Sequence, residues 1–172
     1  VHYKPTESCL WVIDPSYDRH NPDLPELTRQ MIAISNLQQI VPQPLGEGYP
    51  PQDIFGPEPS HTWCYYYQKA DLARQLGDWE RVVSLGDTAR SKGYHPQVPG
   101  SNTPPEWRPF ILGYAHLGRW DVAAELTTAA AARSDRYTPM LCWLWRDIQE
   151  QMTPGPELDE AASIVRIQLD CK

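Results

Sequence analysis

The chain has no surplus of positive charge and no long apolar run. It carries 15 Lys and Arg residues against 22 Asp and Glu residues, a formal net charge of -7. Proteins that bind nucleic acid through its phosphates need a basic surface to release counterions, so the acidic balance argues against a nucleic-acid partner. No run reaches the length of a membrane-spanning helix, and no basic segment precedes an apolar stretch at the start.

The sequence also lacks the patterns that carry much enzyme chemistry. It contains no HExxH, GxSxG or EF-hand pattern. Gly46 and Gly48 lie among prolines and follow no predicted strand, so they do not indicate a phosphate-binding loop. We therefore expect no enzymatic activity, no catalytic residues and no cofactor.

Cysteines are few and widely spaced. Cys9, Cys64, Cys142 and Cys171 form no CxxC pair, which argues against ribbon-type zinc sites and thioredoxin-like redox centres. Their even number permits two disulfides, in any of three pairings, or four buried thiols, and the sequence leaves both open. His61 precedes Cys64 by three residues, but two ligands make a poor metal site and a capping or packing histidine fits better. We expect no metal.

What the chain does have is a helical period at its centre. Residues 63–93 place apolar and small side chains three and four positions apart, which predicts two helices folded against each other. Gly77 and Asp78 interrupt the period where a tight turn needs a positive φ angle. Lys92 and Gly93 then end the second helix with a cation and a terminal glycine.

A second segment repeats this arrangement. The turn at residues 118–120 (GRW) matches the turn at residues 77–79 (GDW), and small residues follow both turns. The pattern resembles the second half of a tetratricopeptide repeat, whose turn precedes a helix with small residues. The turn glycines lie 41 residues apart, whereas an uninterrupted array repeats at about 34. We interpret residues 95–105 as an inserted loop; the alternative is an unrelated pair of α-hairpins.

Signals at the N-terminal side predict an arm, a helix and a loop. The run CLWVI at residues 9–13 predicts a single strand or an extended arm. An amphipathic helix of about four turns is predicted to follow over residues 21–41. Residues 42–60 are irregular and rich in proline, with Ile54 and Phe55 as the expected anchor.

Further signals complete the predicted fold. Thr103 and Glu106 predict a capping box, and helical periods continue to the last residues. The fold class that we predict is all-α, an α-α superhelix of tetratricopeptide-like hairpins with an irregular proline-rich N-terminal segment. We assign a single domain, 1–172, with the arm, helix and loop at 1–61, the hairpins at 62–152 and a capping helix at 157–172.

The aromatic run at residues 63–67 (WCYYY) is the main candidate for binding. A helix spreads near-consecutive aromatic side chains around its circumference, so they cannot all face one core. We predict that some of these aromatic residues form a platform for a peptide or a sugar, near Arg108. The residues of this platform are Trp63, Tyr66, Tyr67, Arg74, Trp107 and Tyr114. The alternative is that residues 42–60 cover them. Asp71 and Arg74 are expected to form an exposed ion pair.

A wider resemblance bears on function. The runs WCYYYQKADLARQLGDW, CLWVIDP and PFILGYAHLGRWDVA are similar to the soluble C-terminal region of uncharacterised bacterial multi-pass membrane proteins. The resemblance implies an extracytoplasmic domain attached to the membrane through an anchor outside this chain, and it favours disulfides. It carries over no catalytic residues. The first residue, Val1, fits a processed or excised piece; without the resemblance, a cytoplasmic location is the alternative.

Together these observations predict a non-enzymatic interaction domain of tetratricopeptide-like type. Its expected partner is a protein or peptide, and contact with a membrane is expected only through a segment absent from this chain. The alternative function is a carbohydrate- or substrate-binding accessory domain of a membrane-bound glycosyltransferase-like enzyme, whose partner is a glycan.

Overall fold

A computed structural model describes residues 1–3, 8–40, 52–57, 60–98 and 102–172. No strand occurs in these residues, and an isolated antiparallel bridge joins His2 to Trp11. The all-α class is therefore confirmed for the described part of the chain. Its α-helices are α1 (Glu26–Met31), α2 (Gln52–Phe55), α3 (Trp63–Gln75), α4 (Trp79–Ser91), α5 (Arg108–His116), α6 (Trp120–Ala131), α7 (Thr138–Gln151) and α8 (Pro156–Leu169). Short 3₁₀ helices lie at Ile32–Ile34, Leu37–Gln39, Pro104–Trp107 and Asp135–Tyr137.

Two glycine corners close the predicted hairpins. Gly77 and Gly118 have φ angles of 72° and 70°, the left-handed conformation that glycine adopts at little cost. Asp78 caps α4, because its carboxylate accepts a hydrogen bond from the amide of Arg81. Helix α3 packs on α4, and α5 packs on α6. The helix pairs are confirmed, whereas their membership of a tetratricopeptide-like superhelix stays a prediction.

Glycine also allows α4 to pack directly on α5. A Cβ atom at Gly113 would lie 2.5 Å from a Val82 methyl carbon. One at Gly86 would lie 2.9 Å from both the Phe110 ring and the Tyr114 hydroxyl oxygen. Both positions therefore need glycine for this approach, and the contact joins the two hairpins through one core.

The last two helices extend this core. Trp145 on α7 donates a hydrogen bond of 2.8 Å from its indole nitrogen to the Thr127 hydroxyl on α6. Helix α8 packs on both α6 and α7. A disulfide between Cys142 and Cys171, with Cα atoms 5.6 Å apart, ties the residue beyond α8 to α7. The final helix predicted from the sequence is thus held on two neighbouring helices.

The four-turn helix predicted over residues 21–41 is wrong. Only α1 and two 3₁₀ turns form there, and Leu27 and Ile34 are 68% and 74% exposed. The hydroxyl of Ser35 donates to the carbonyl of Ile13, and the Asn36 side chain accepts from a backbone amide two residues on. Such local hydrogen bonds compete with those of a helix. Among the described residues, no surface packs against the apolar stripe to stabilise the helix.

The extended arm predicted at the N-terminus does form. His2 and Trp11 exchange two backbone hydrogen bonds, so the arm pairs with the start of the chain. A disulfide joins Cys9 on the arm to Cys64 on α3, with Cα atoms 5.2 Å apart. The arm's apolar side chains enter the core, namely Cys9, Trp11, Ile13, Tyr17 and Leu24.

The proline-rich stretch is described only in part. Residues 42–51, 58 and 59 lie outside the described residues, so the prediction that 42–60 covers the aromatic run is not tested by them. The side chain of Ile54 in α2 is 72% exposed. The expected role of Ile54 as an apolar anchor is therefore wrong, because an anchor must be removed from water, and the side chain of Phe55 lies outside the described part of the chain.

We expect the two disulfides to hold much of the protein's stability. They link residues that are 55 and 29 positions apart in the sequence. By the loss of chain entropy in the unfolded state, each should add about 4 kcal/mol to the free energy of unfolding. Replacing Cys9 and Cys64 together by Ala should lower the free energy of unfolding by up to about that amount, as measured by urea titration of tryptophan fluorescence. The Cys142→Ala/Cys171→Ala protein is the matched comparison. An unfolding midpoint that does not respond to dithiothreitol in the unmodified protein would contradict this expectation.

Candidate functional site

The arm, defined here as residues 8–24, lies across three helices. Its Cys9 is bonded to Cys64 at the start of α3, and its Asp14 accepts from Arg74 near the end of α3. Further along, Asp18 pairs with Arg108 at the start of α5. His20 then contacts the ring of Trp143 on α7, with centroids 4.6 Å apart. The face shared by α3, α5 and α7 is therefore occupied by the chain itself.

Glu106 is the point where the arm, α3 and the start of α5 meet. Its side chain is fully buried, and each carboxylate oxygen accepts two hydrogen bonds. Oε1 accepts from the Cys9 amide at 2.7 Å and the Trp11 indole at 3.1 Å. Oε2 accepts from the Trp63 indole at 2.7 Å and the Thr103 amide at 2.9 Å. The glutamate contact of the predicted capping box is confirmed, and three donors beyond the box extend it.

The environment of Glu106 shows what holds a carboxylate inside this core. Burial raises the pKa of Glu106 above its ordinary value, and the hydrogen bonds from Cys9, Thr103 and the two indoles oppose that rise. All four neighbours are N–H donors, so none of them could accept a hydrogen bond from the O–H of a protonated Glu106. The geometry therefore suits a structural acceptor and does not leave this carboxylate available to a substrate.

A second buried cluster surrounds Tyr17. The guanidinium carbon of Arg74 lies 3.8 Å from the Tyr17 ring centroid, and that of Arg108 lies 4.2 Å from it. Arg108 also donates to the carbonyl of Tyr17 at 2.7 Å and to Asp18 at 2.5 Å. The Tyr17 hydroxyl is buried and has no hydrogen-bond partner among the described residues. The ring, and not the hydroxyl, is thus what both cations use.

The ion pair predicted as exposed, Asp71 with Arg74, belongs to this buried cluster, so that prediction is wrong. Asp71 is only 5% exposed and accepts from Arg74 at 2.8 Å. Burial raises its pKa, and the charge of Arg74 opposes the rise. Burial acts in the same direction on Asp14, but hydrogen bonds from Ser16 and the charge of Arg74 bring its pKa below the ordinary value. Arg74 is therefore committed to two carboxylates.

Five of the six residues predicted to bind a ligand, the aromatic ones, lie in the core, whereas Arg74 lies against the arm. Trp63 and Trp107 stack with their ring centroids 4.4 Å apart. None of the five aromatic residues is more than 6% exposed, and the hydroxyl of Tyr114 donates to Asp87 at 2.8 Å. The aromatic residues therefore present no open platform here, and Arg74 is bonded to the arm. A binding role for these residues stays a prediction; they are Trp63, Tyr66, Tyr67, Arg74, Trp107 and Tyr114.

The metal alternative for His61 and Cys64 is excluded by the disulfide. Cys64 is bonded to Cys9, so its sulfur is not a free thiolate ligand. His61 stacks on Tyr65 with centroids 3.6 Å apart, as a packing histidine does. Within the described ranges, no group of three or more His, Cys, Asp and Glu side chains is placed to hold a metal ion.

An open groove runs between α7 and α8 and contains no residue of the predicted platform. It has a volume of about 520 Å³. The Cys142–Cys171 disulfide, Ala162 and Val165 contribute its apolar lining. Trp143 is half-buried at this groove and contacts His20 of the arm. Its polar lining comes from His20, Arg146, Gln149, Arg166, Asp170 and Lys172.

The cations of this groove are unpaired. Arg146, Arg166 and Lys172 are exposed, and none forms an ion pair with a described residue. Elsewhere in the described chain most arginines are bonded, six of them to carboxylates: Arg29, Arg74, Arg90, Arg108, Arg119 and Arg136. Unpaired cations grouped at one groove produce a local positive field there, even in a protein of negative net charge.

The charge of Arg146 also acts on His20. Burial lowers its pKa, and the charges of Arg19, Arg146 and Arg108 lower it further. His20 is therefore neutral at pH 7, because its ordinary value is already 6.5. The groove combines this neutral ring, an indole and free guanidinium groups, which is chemistry for binding and not for proton transfer.

Sequence reasoning missed this groove. The available signal was the apolar period of α7, which places Trp143 and Arg146 beside the buried face of that helix. That Arg166 lines the same groove as Arg146 depends on how α8 packs on α7, which no local sequence pattern specifies.

No family model, curated protein or solved structure matches the chain. The resemblances to tetratricopeptide repeats and to bacterial membrane proteins therefore stay predictions. None of the helices in the described ranges combines the length and the apolar character needed to cross a membrane.

Replacing Glu106 by Gln should destabilise the fold. A carboxamide offers one acceptor oxygen, so two of the four N–H donors would face its NH₂ group, and we expect a loss of about 2–4 kcal/mol in the free energy of unfolding. Urea titration measures the change. Glu125→Gln is the matched control, because Glu125 pairs with Arg90 at the surface and should cost less than about 1 kcal/mol. Equal losses in the two variants would refute the assigned role of Glu106.

Two substitutions at Tyr17 separate the ring from the hydroxyl. Tyr17→Phe removes an unpartnered hydroxyl and keeps the stack between two guanidinium groups, so its stability should change by less than about 1 kcal/mol. Tyr17→Leu removes the stack and should cost about 3 kcal/mol. Thermal or urea unfolding distinguishes them. A larger loss for Phe than for Leu would mean that the hydroxyl has a partner.

Proposed function

We propose that the protein is a non-enzymatic, tetratricopeptide-like interaction module that binds a segment of another protein in the α7–α8 groove. The observation that carries the proposal is the groove's composition, an apolar floor beside unpaired cations and a half-buried indole. Helical pairs commonly bind peptides in this way, with apolar anchors in a groove and polar groups at its rim. The arm supports this position, because it already fills the face of α3, α5 and α7.

The proposal extends to the compartment and the parent protein. All four cysteines are paired in two disulfides, which form and persist in oxidising environments. We therefore place the module outside the cytoplasm, as part of a larger membrane protein, in line with the resemblance noted from the sequence. The disulfide at Cys142 also makes the groove rigid, since it ties the end of one wall to the other.

A carbohydrate-binding accessory domain is the second candidate. The observation that favours it is Trp143, a half-buried indole beside the Gln149 amide and the Asp170 carboxylate. Sugars stack on such rings and hydrogen-bond to such groups. One side of the ring is already in contact with His20, which reduces the surface that it offers.

The proposed function is tested by selecting binders from a peptide library and mapping them by amide chemical shifts of the intact protein. We expect the selected peptides to perturb α7 and α8, and Trp143→Ala to weaken binding by about tenfold, since a truncated aromatic contact costs more than 1 kcal/mol. Trp120→Ala, at a partly buried indole on α6, is the matched control and should leave binding unchanged. Oligosaccharides that bind there when no peptide does would favour the second candidate instead.

A further inference from the structure

The walls of the α7–α8 groove carry charge of one sign at their centre. Arg146 projects from α7 and Arg166 from α8, and both line the same groove. The two carboxylates near it, Asp170 and Asp159, belong to the opposite ends of α8. A ligand lying along the groove therefore meets unpaired guanidinium groups between these two carboxylates.

These guanidinium groups are not used in hydrogen bonds to carboxylates of the described residues. Arg146 and Arg166 have no hydrogen-bonded carboxylate among the described residues, whereas Arg74 and Arg108 are fully engaged in the core. Each guanidinium offers a planar fork that matches a carboxylate in a bidentate pair. Arg19, which precedes His20 on the arm, adds a third exposed guanidinium whose charge is felt at the groove.

The floor of the groove adds an apolar requirement. Ala162 and Val165 are buried along α8, and the Cys142–Cys171 disulfide faces the same space. A purely polar anion gains nothing from the disulfide and the Trp143 indole, which are only partly buried, whereas an aliphatic or aromatic side chain removes their remaining surface from water. An anionic sugar would instead need several hydroxyl partners, and Gln149 and Asp170 are few for that purpose.

Length sets the size of the ligand. The lining of the groove runs from Thr138 to Gln149 on α7, so the groove is about 16 Å long. An extended peptide covers about 3.3 Å per residue, so about five residues span the groove. This length lets two acidic side chains reach the guanidinium pair while an apolar side chain between them points to the floor.

From these observations we infer that the groove recognises an acidic peptide segment with an apolar anchor, held by Arg146 and Arg166. The inference rests on the proposed function, because it names the chemistry of the partner that the groove binds. The unpaired guanidinium groups supply the preference for carboxylates, and the partly buried disulfide and the Trp143 indole supply the anchor site.

The test uses fluorescein-labelled octapeptides that alternate a charged or polar residue with Leu, and measures anisotropy with the whole protein. The three probes carry Glu, Gln or Lys at the alternating positions. We expect the Glu peptide to bind at least about tenfold more tightly than the Gln peptide, with an affinity that falls as salt is added. Chemical shifts should place it on α7 and α8.

Charge reversal identifies the residues. The double substitution Arg146→Glu/Arg166→Glu should lower the affinity for the Glu peptide by at least about tenfold and raise the affinity for the Lys peptide. Arg81→Glu is the matched control, because Arg81 is an exposed arginine on α4 outside the groove. Both altered arginines of the double variant are exposed and unpaired, so its unfolding midpoint should match that of the unmodified protein, which verifies folding.

The outcomes separate the inference from the proposed function. If the Gln or Lys peptide binds the groove as tightly as the Glu peptide, the acidic specificity is overturned and the binding module stands. If an oligogalacturonate displaces the Glu peptide and binds more tightly, the partner is an anionic glycan and the inference fails. If no peptide of any charge perturbs α7 or α8, both the inference and the proposed function fail.

Discussion

Four N–H groups converge on one buried carboxylate, and the rest of the structure depends on that convergence. A carboxylate inside a core is costly unless hydrogen bonds replace its water, and Glu106 obtains them from the arm, from α3 and from its own helix cap. The donors come from positions as far apart as Cys9 and Thr103, so the arm must lie at the junction of α3 and α5 for all of them to be satisfied. The Cys9–Cys64 disulfide holds the arm at that position.

The arm in turn determines which surfaces are left for a partner. It covers the face of α3, α5 and α7, brings Asp14 and Asp18 to Arg74 and Arg108, and inserts Tyr17 between the two guanidinium groups. Its buried side chains, each contributing about 1.5–3 kcal/mol, make it part of the core and not a removable strap. The groove between α7 and α8 is left open, and its cations form no ion pair with a described residue. The proposed function follows from this distribution of paired and unpaired charge.

Much of the helical fold was predictable because its signals are local. The corners at Gly77 and Gly118, the cap at Asp78 and the glutamate contact of Glu106 with Thr103 involve residues within a few positions of one another. The helix over residues 21–41 failed for the complementary reason. An apolar stripe stabilises a helix only when a partner surface covers it, and Leu27 and Ile34 have none among the described residues. The α7–α8 groove was not predicted, because it depends on how α8 packs on α7, and the aromatic platform that was predicted lies in the core.

By itself, the sequence determined the α-helices from α3 to α8, the glycine turns between them and the acidic character that argues against nucleic acid, because each depends on neighbours along the chain or on composition. The tertiary structure alone decided which cysteines pair, that the aromatic run is core, and that Asp71 is buried. It also decided that Arg146 and Arg166 line the same open groove. These properties are set by contacts between residues that are distant in the chain. The free energy of a charge depends on which partners and how much water surround it, and no local pattern specifies either.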